Sequence, residues 1–138
     1  MRLNCPDDRR VSIDGWELEE VGEFCYLGSL LTPYGGSVED VANRLRKARG
    51  AFESLRGVWS SREISRKTKL VFYCSIVEST LLYGSECWSL TISLEKRLQV
   101  FQRKCLRRIL VFFYPNRILN FDLLERTGQT DIIIKIID

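Results

Sequence analysis

Glu23-Phe24-Cys25-Tyr26-Leu27-Gly28-Ser29-Leu30-Leu31, closed by Thr32-Pro33-Tyr34-Gly35-Gly36, is where the chain changes from one kind of structure to another. The first nine residues are rich in aromatic and apolar side chains that suit a pleated, half-buried surface, and they predict a single extended segment. The five that follow are breakers, in which proline and paired glycines end a strand and open a turn. Upstream the pattern is also extended. Val11-Ser12-Ile13 and Trp16-Glu17-Leu18 alternate apolar and polar about Asp14-Gly15, a two-residue turn that favours positive φ. This predicts a β-hairpin with Val11, Ile13, Trp16 and Leu18 as its buried positions.

Downstream the period changes to that of helices. Ser37 is a good N-cap, and Glu39 and Asp40 follow in the first turn, where the helix dipole favours acids. Val38, Val41, Leu45, Ala48, Phe52 and Leu55 recur at spacings of three and four, one apolar stripe ending near Gly57. Arg44, Arg46, Lys47, Arg49 and Arg56 fall off that stripe. A second helix is expected from Ser65 to Gly84, charged at its start and apolar on most sides from Leu70 to Tyr83, hence the central and most buried one. An extended link, Ser85 to Leu90, leads to a third helix from Ser93, with Leu94, Leu98, Phe101, Cys105, Ile109 and Phe112 as its stripe and Pro115 as its stop. Arg97, Lys104 and Arg108 line one flank of it, and Lys96, Arg103 and Arg107 another. A short helix over Asn120–Thr127 should end at Gly128, and Ile132 to Ile137 begins an apolar element.

Hydrophobic residues make up 45% of the 138 and charged residues 28%, a globular composition. No apolar run approaches the roughly 20 residues of a membrane span, and the N-terminus lacks the apolar core of a secretory signal. The expectation is an intracellular protein of nucleus or cytoplasm, with no membrane partner. Five cysteines, none in a Cys-x-x-Cys pair, read as free thiols rather than as a disulfide framework or zinc site.

The net charge of +3 hides a polarity. Residues 1–40 hold three bases and nine acids, while residues 41–138 hold eighteen bases and nine acids. An acidic head on a basic body is the electrostatic footprint of a polyanion partner, or else of a merely solvated basic face. Rows of Arg and Lys on two helices could neutralise the phosphates of a duplex, a contact independent of sequence and sensitive to salt. Enzymatic patterns are missing: there is no histidine, no Gly-rich phosphate loop and no Gly-x-Ser-x-Gly. Asp7-Asp8 mimics a metal-binding doublet, but it lacks the flanking strand pattern that would hold two carboxylates apart, and it reads as a solvated loop.

Several stretches, in order along nearly the whole chain, resemble one family. Phe24 to Thr32 resembles the primer-grip block that follows the catalytic palm in non-LTR retrotransposon reverse transcriptases. Leu81-Leu82-Tyr83-Gly84-Ser85-Glu86-Cys87-Trp88, Leu94-Glu95-Lys96-Arg97-Leu98, Lys104 to Leu110 and Leu123 to Gln129 are similar to later blocks of the same proteins, particularly the RTE-like group. The resemblance implies a non-catalytic fragment of an endonuclease-reverse transcriptase, an RNA-directed DNA polymerase whose catalytic aspartates lie upstream. It implies no cofactor in this chain, the parent enzyme using Mg2+. Phe24, Tyr26, Leu27 and Gly28 would be nucleic-acid-binding residues of the strand-turn against which the primer's 3′ end rests. Arg44, Lys47, Arg97, Lys104 and Arg108 would hold the backbone phosphates of an RNA–DNA hybrid or duplex from a helical thumb, and a missing palm domain would be the second partner.

The expected fold class is α+β: an N-terminal β-hairpin plus one strand, followed by a mainly α-helical bundle of three to four helices. Residues 1–36 would be the end of the palm, 37–115 the thumb-like bundle and 116–138 a short helix and the truncated start of a linker. Two other readings stand beside it: an inactive, decayed transposon copy, or a stand-alone interaction domain docking through Ile132–Ile137.

Overall fold

The Asp14-Gly15 turn forms as its sequence demands. In the computed structural model, which describes residues 12–19, 21–22, 24–26, 29–31, 36–112 and 115–137, these two residues have φ of 52° and 86°. Positive φ at both positions is what a tight hairpin of this kind requires. Strands β1 (Ser12–Ile13) and β2 (Trp16–Glu17) pair antiparallel across it, Ile13 opposite Trp16. The predicted hairpin core does not form: Ile13, Trp16 and Leu18 are all more than half exposed. A two-stranded ribbon has no second layer of its own to cover a face, and the helices leave this one open. Val11 lies outside the described residues.

The single strand expected over residues 23–31 is instead a second hairpin. Strands β3 (Phe24–Tyr26) and β4 (Ser29–Leu31) pair antiparallel, with Tyr26 opposite Ser29 and Phe24 opposite Leu31. A glycine inside an apolar run is turn chemistry as well as strand interruption. The fold class is α+β as expected, with two hairpins in place of a hairpin and one strand, followed by mainly helical structure.

Strand β4 lies against helix α1 (Ser37–Ser54). Glu39 and Asp40 occupy the first turn, and Val41, Leu45, Ala48 and Phe52 form the buried stripe, whereas Val38 is half-exposed. Ser37 does not cap the helix. Gly36 holds that position, and the Ser37 hydroxyl accepts a hydrogen bond from the Ser89 backbone at 3.1 Å. After a one-residue break at Leu55 the chain continues into α2 (Arg56–Ser60). The Trp59 ring stacks on Phe52 with centroids 4.8 Å apart, and its indole N–H donates to the Phe52 carbonyl at 2.6 Å. That bond satisfies a carbonyl in the last turn of α1.

The second predicted helix opens where expected, with the Ser65 hydroxyl accepting from the Thr68 N–H at the start of α3 (Arg66–Phe72). It then widens into a π-helical stretch, Tyr73–Glu78, before α4 (Ser79–Leu82). Lys69, Tyr73, Val77 and Leu81 are buried at a strict four-residue spacing, and Glu78 beside Val77 is buried with them. On an α-helix each step of four drifts about 40° around the axis. The wider π turn takes up that drift and keeps all four residues on one face. The opposite face is open, with Val71 60% and Ile76 36% exposed, while Leu70, Phe72, Cys74 and Leu82 pack against the margin of the core. This helix is therefore buried on one side rather than central.

The central helix is α5 (Ile92–Ile109), which packs on α1, α3, α6 (Asn120–Thr127) and α7 (Ile132–Ile137). Thr91 caps it through a side-chain bond from the Leu94 N–H, and the expected stripe from Leu94 to Ile109 is buried, with Phe112 packed at its margin. Ile132 is fully buried, and Ile133 and Ile136 pack against the same core. The apolar C-terminal segment is thus largely spent inside the fold.

Helix α5 stops at Ile109, well before Pro115, by an unusual closure. The Val111 and Phe112 N–H groups reach back to the Arg108 and Arg107 carbonyls at 3.2 and 2.9 Å, the paired bonds of a Schellman turn. Its left-handed residue is Val111, at φ 61°. Gly128, at φ 62°, fills the same role after α6. A β-branched side chain in this conformation costs on the order of 1–2 kcal/mol, and Val111, 62% exposed, recovers little by burial. Val111→Gly is therefore expected to stabilise the fold by about 1 kcal/mol, raising the melting midpoint by roughly 4 °C. A lower midpoint in a thermal melt would contradict the strain.

Candidate nucleic-acid interface

Helices α1 and α5 pack side by side, and their basic flanks meet along one edge. Arg49 and Glu53 from α1 and Arg97, Lys104 and Arg108 from α5 rim a groove of about 280 Å³. Arg108 Nη1 lies 3.0 Å from Glu53 Oε1, and its guanidinium also sits over the Phe52 ring. The groove's single carboxylate is thereby neutralised from within. Arg49, Arg97 and Lys104 are exposed and make no ion pair among the described residues. Burial pushes the Cys105 thiol on the groove floor up to about 12, so it stays protonated at neutral pH and is no nucleophile.

Of the predicted phosphate contacts, Arg97, Lys104 and Arg108 are brought together, and Arg49 joins them. Arg44 is not among them. It is 5% exposed, its guanidinium 4.6 Å from the centre of the Tyr83 ring, so it belongs to the packing of α1 against the 81–88 segment. Lys47 is exposed on α1 but lines none of the grooves described here. The half-circle between Lys47 and Arg49 on a helix explains why one reaches the groove and the other does not. Phe24 is half-exposed and does not line the groove; Tyr26 is described only through its backbone in β3, and Leu27 and Gly28 lie outside the described residues.

Two members of the second predicted row on α5 fasten that helix to its neighbours, while Lys96 is exposed. Arg103 pairs with Asp131 at 3.2 Å, and Arg107 donates to the Asn120 side chain at 2.6 Å, both tying α5 to the C-terminal helices. The Leu81–Trp88 block is likewise a fastening. Gly84 adopts a left-handed φ of 79°, a 3-10 turn spans Ser85–Cys87, and the Trp88 indole N–H donates to Asp40 Oδ2 at 2.7 Å. Rather than the expected extended link, this is a turn that clamps α4 to the start of α1.

Beyond Arg108 lies a second, larger groove of about 610 Å³, bordered by Arg56, Arg62, Arg66 and Lys69. Lys69 is itself buried, its ammonium donating to the Trp59 and Ser61 carbonyls at 2.9 and 2.6 Å. It holds the loop in place, while the three arginines are exposed. Arg49 falls off the apolar stripe of α1, and its spacing from Phe52 and Glu53 is the hint that it flanks the helix contact.

Among the described residues, no group of three or more His, Cys, Asp or Glu side chains comes together to hold a metal ion, and Asp7 and Asp8 lie outside them. No helix among the described residues is long and apolar enough to cross a membrane.

Residues 51–83, from the last turn of α1 through the Trp59 corner and the π-helical stretch, match a family model described as a domain of unknown function, DUF6451. Over 93 residues the chain is 28% identical to an uncharacterized transposon-derived protein of Caenorhabditis elegans. The chain is distantly related to a transposon-derived protein. The match covers 67% of this chain and 33% of that relative, so the chain corresponds to about a third of its length. No solved structure matches.

Proposed function

We propose that this chain is the non-catalytic, thumb-like part of a transposon-encoded reverse transcriptase, gripping the phosphate backbone of an RNA–DNA hybrid or duplex. The observation that carries the reading is the α1–α5 groove, where Arg49, Arg97, Lys104 and Arg108 face one acid already paired within it. Such a rim binds regularly spaced phosphates and has no chemistry to perform on them. Kinship with a transposon-derived protein makes a nucleic acid the fitting polyanion. An A-like hybrid would be held by shape and charge rather than by base sequence. Polymerisation would need the palm of the parent protein, and none is expected of this chain alone.

Docking through Ile132–Ile137 is the weaker reading, since Ile132 is buried and only Ile134 and Ile137 of the isoleucines are exposed.

Fluorescence anisotropy of the full chain with a labelled hybrid tests the reading. Affinity should fall linearly on a log–log plot against salt, with a slope of about −3 or steeper, and be indifferent to base sequence. Arg97→Ala with Lys104→Ala should weaken binding about tenfold in low salt and flatten the slope by about 2. Binding that ignores salt, or none at low salt, would refute the proposal.

A further inference from the structure

The α1–α5 groove does not end at Arg108. That guanidinium also borders the second groove, and Arg66 in turn borders the second groove and a third of about 340 Å³, where Lys67 and Arg126 stand. Three grooves are therefore joined edge to edge by shared arginines. Glu53 is the one acid among all their lining residues. No carboxylate among the described residues pairs with Arg56, Arg62 or Arg66, although Glu63 is adjacent in sequence to Arg62. Like charges so arranged repel one another and are relieved by a polyanion.

The lining also says which part of a nucleic acid it would meet. Aliphatic side chains line the same grooves: Val100 in the first, and Val111 and the loop residue Ile64 in the second, both valines 62% exposed. The aromatic residues of the first two grooves, Phe52, Trp59 and Phe101, are all buried and offer no free face. Single-strand binders stack bases on exposed aromatic rings. These grooves lack such platforms among the described residues, which favours a duplex whose bases stay paired and whose phosphates alone are touched.

Resting on the proposed nucleic-acid reading, we infer that the duplex backbone continues from the α1–α5 groove across Arg108 into a second phosphate-binding groove formed by Arg56, Arg62 and Arg66. The loop that carries Arg62 is held for this by Lys69, whose two carbonyl bonds fix residues 59–61 without using an exposed cation. The resulting track runs through both grooves, with Arg108 shared between them.

The test measures binding of the full chain to a blunt-ended RNA–DNA hybrid over a salt series, alongside a single strand of the same sequence. Arg56→Ala, Arg62→Ala and Arg66→Ala together should weaken hybrid binding at least tenfold at low salt and lower the salt slope by about 3. Lys96→Ala, an exposed cation off the track, should change neither. A melting curve checks that the exposed arginine variants fold. If the triple variant binds with wild-type affinity and slope while Arg97→Ala with Lys104→Ala does not, the second groove is overturned and the first stands. If neither set of substitutions matters, both readings fail. A single strand bound more tightly than the hybrid would overturn the duplex assignment.

Discussion

Replacing Gln102 by leucine is expected to destabilise the fold by about 3 kcal/mol, lowering the melting midpoint by roughly 10 °C. Gln102 is completely buried on α5 and uses both ends of its amide. Its Nε2 donates to the Thr130 carbonyl at 2.8 Å, and its Oε1 accepts from the Ile132 N–H at 3.1 Å. Together these bonds hold the segment that leads into α7, whose own start cannot satisfy its first N–H groups. Leucine is near in size, so little cavity forms. The cost comes from a buried donor and a carbonyl left without partners, at about 1–3 kcal/mol for each group that water cannot reach. Gln99 offers the comparison. It donates to both Asp131 oxygens at 3.1 Å from a partly exposed position, where water can replace the lost bond, and Gln99→Ala should cost about 1 kcal/mol or less. Equal losses in the two melts would show that burial is not the cause. Because Gln102 lies away from the basic rim, the leucine variant should still bind a hybrid well below its melting temperature.

How far the fold could be read from the chain depends on which force decided each element. The Asp14-Gly15 turn and the Gly128 helix end were legible because local backbone chemistry decides them. The α5 stripe was legible because a single period runs through it. The stretch from Leu70 to Tyr83 was read as apolar on most sides and central; the four-residue spacing of Tyr73, Val77 and Leu81 was the missed sign of one buried face. The exposed faces of Ile13 and Trp16 were misread because alternation reports which side of a strand is apolar, not whether anything covers it. The candidate site divided in the same way. Helical geometry put Arg97, Lys104 and Arg108 in line, but only packing could reveal that Arg44 is spent beneath Tyr83 and that Arg103 is spent on Asp131. Arg62 reaches the track from a loop and Arg66 from the first turn of α3, where no apolar stripe announces a face.

The same distinction between spent and available charge governs Lys135. Its ammonium sits 2.6 Å from Glu78 Oε1 and 3.0 Å from Gln129 Oε1, joining α7 to the π-helical stretch. Glu78 is 7% exposed, and its second oxygen has no hydrogen-bond partner. Lys135→Met should therefore cost about 2–3 kcal/mol, since it removes the one cation paired with a carboxylate that water barely reaches. The value sits below that of a fully buried pair because the lysine side chain keeps 24% of its exposure. Losing attraction and leaving a charge stranded are different causes, and a double-mutant cycle separates them. Glu78→Leu removes the stranded charge, so Glu78→Leu with Lys135→Met should recover most of the loss, ending within about 1 kcal/mol of the starting protein. Additive losses in chemical denaturation would mean that the two residues act independently and that the short contact contributes nothing. Recovery would instead identify the pair as a device that fixes where α7 docks, at little net gain in stability, against the face of the helix that the π turn had straightened.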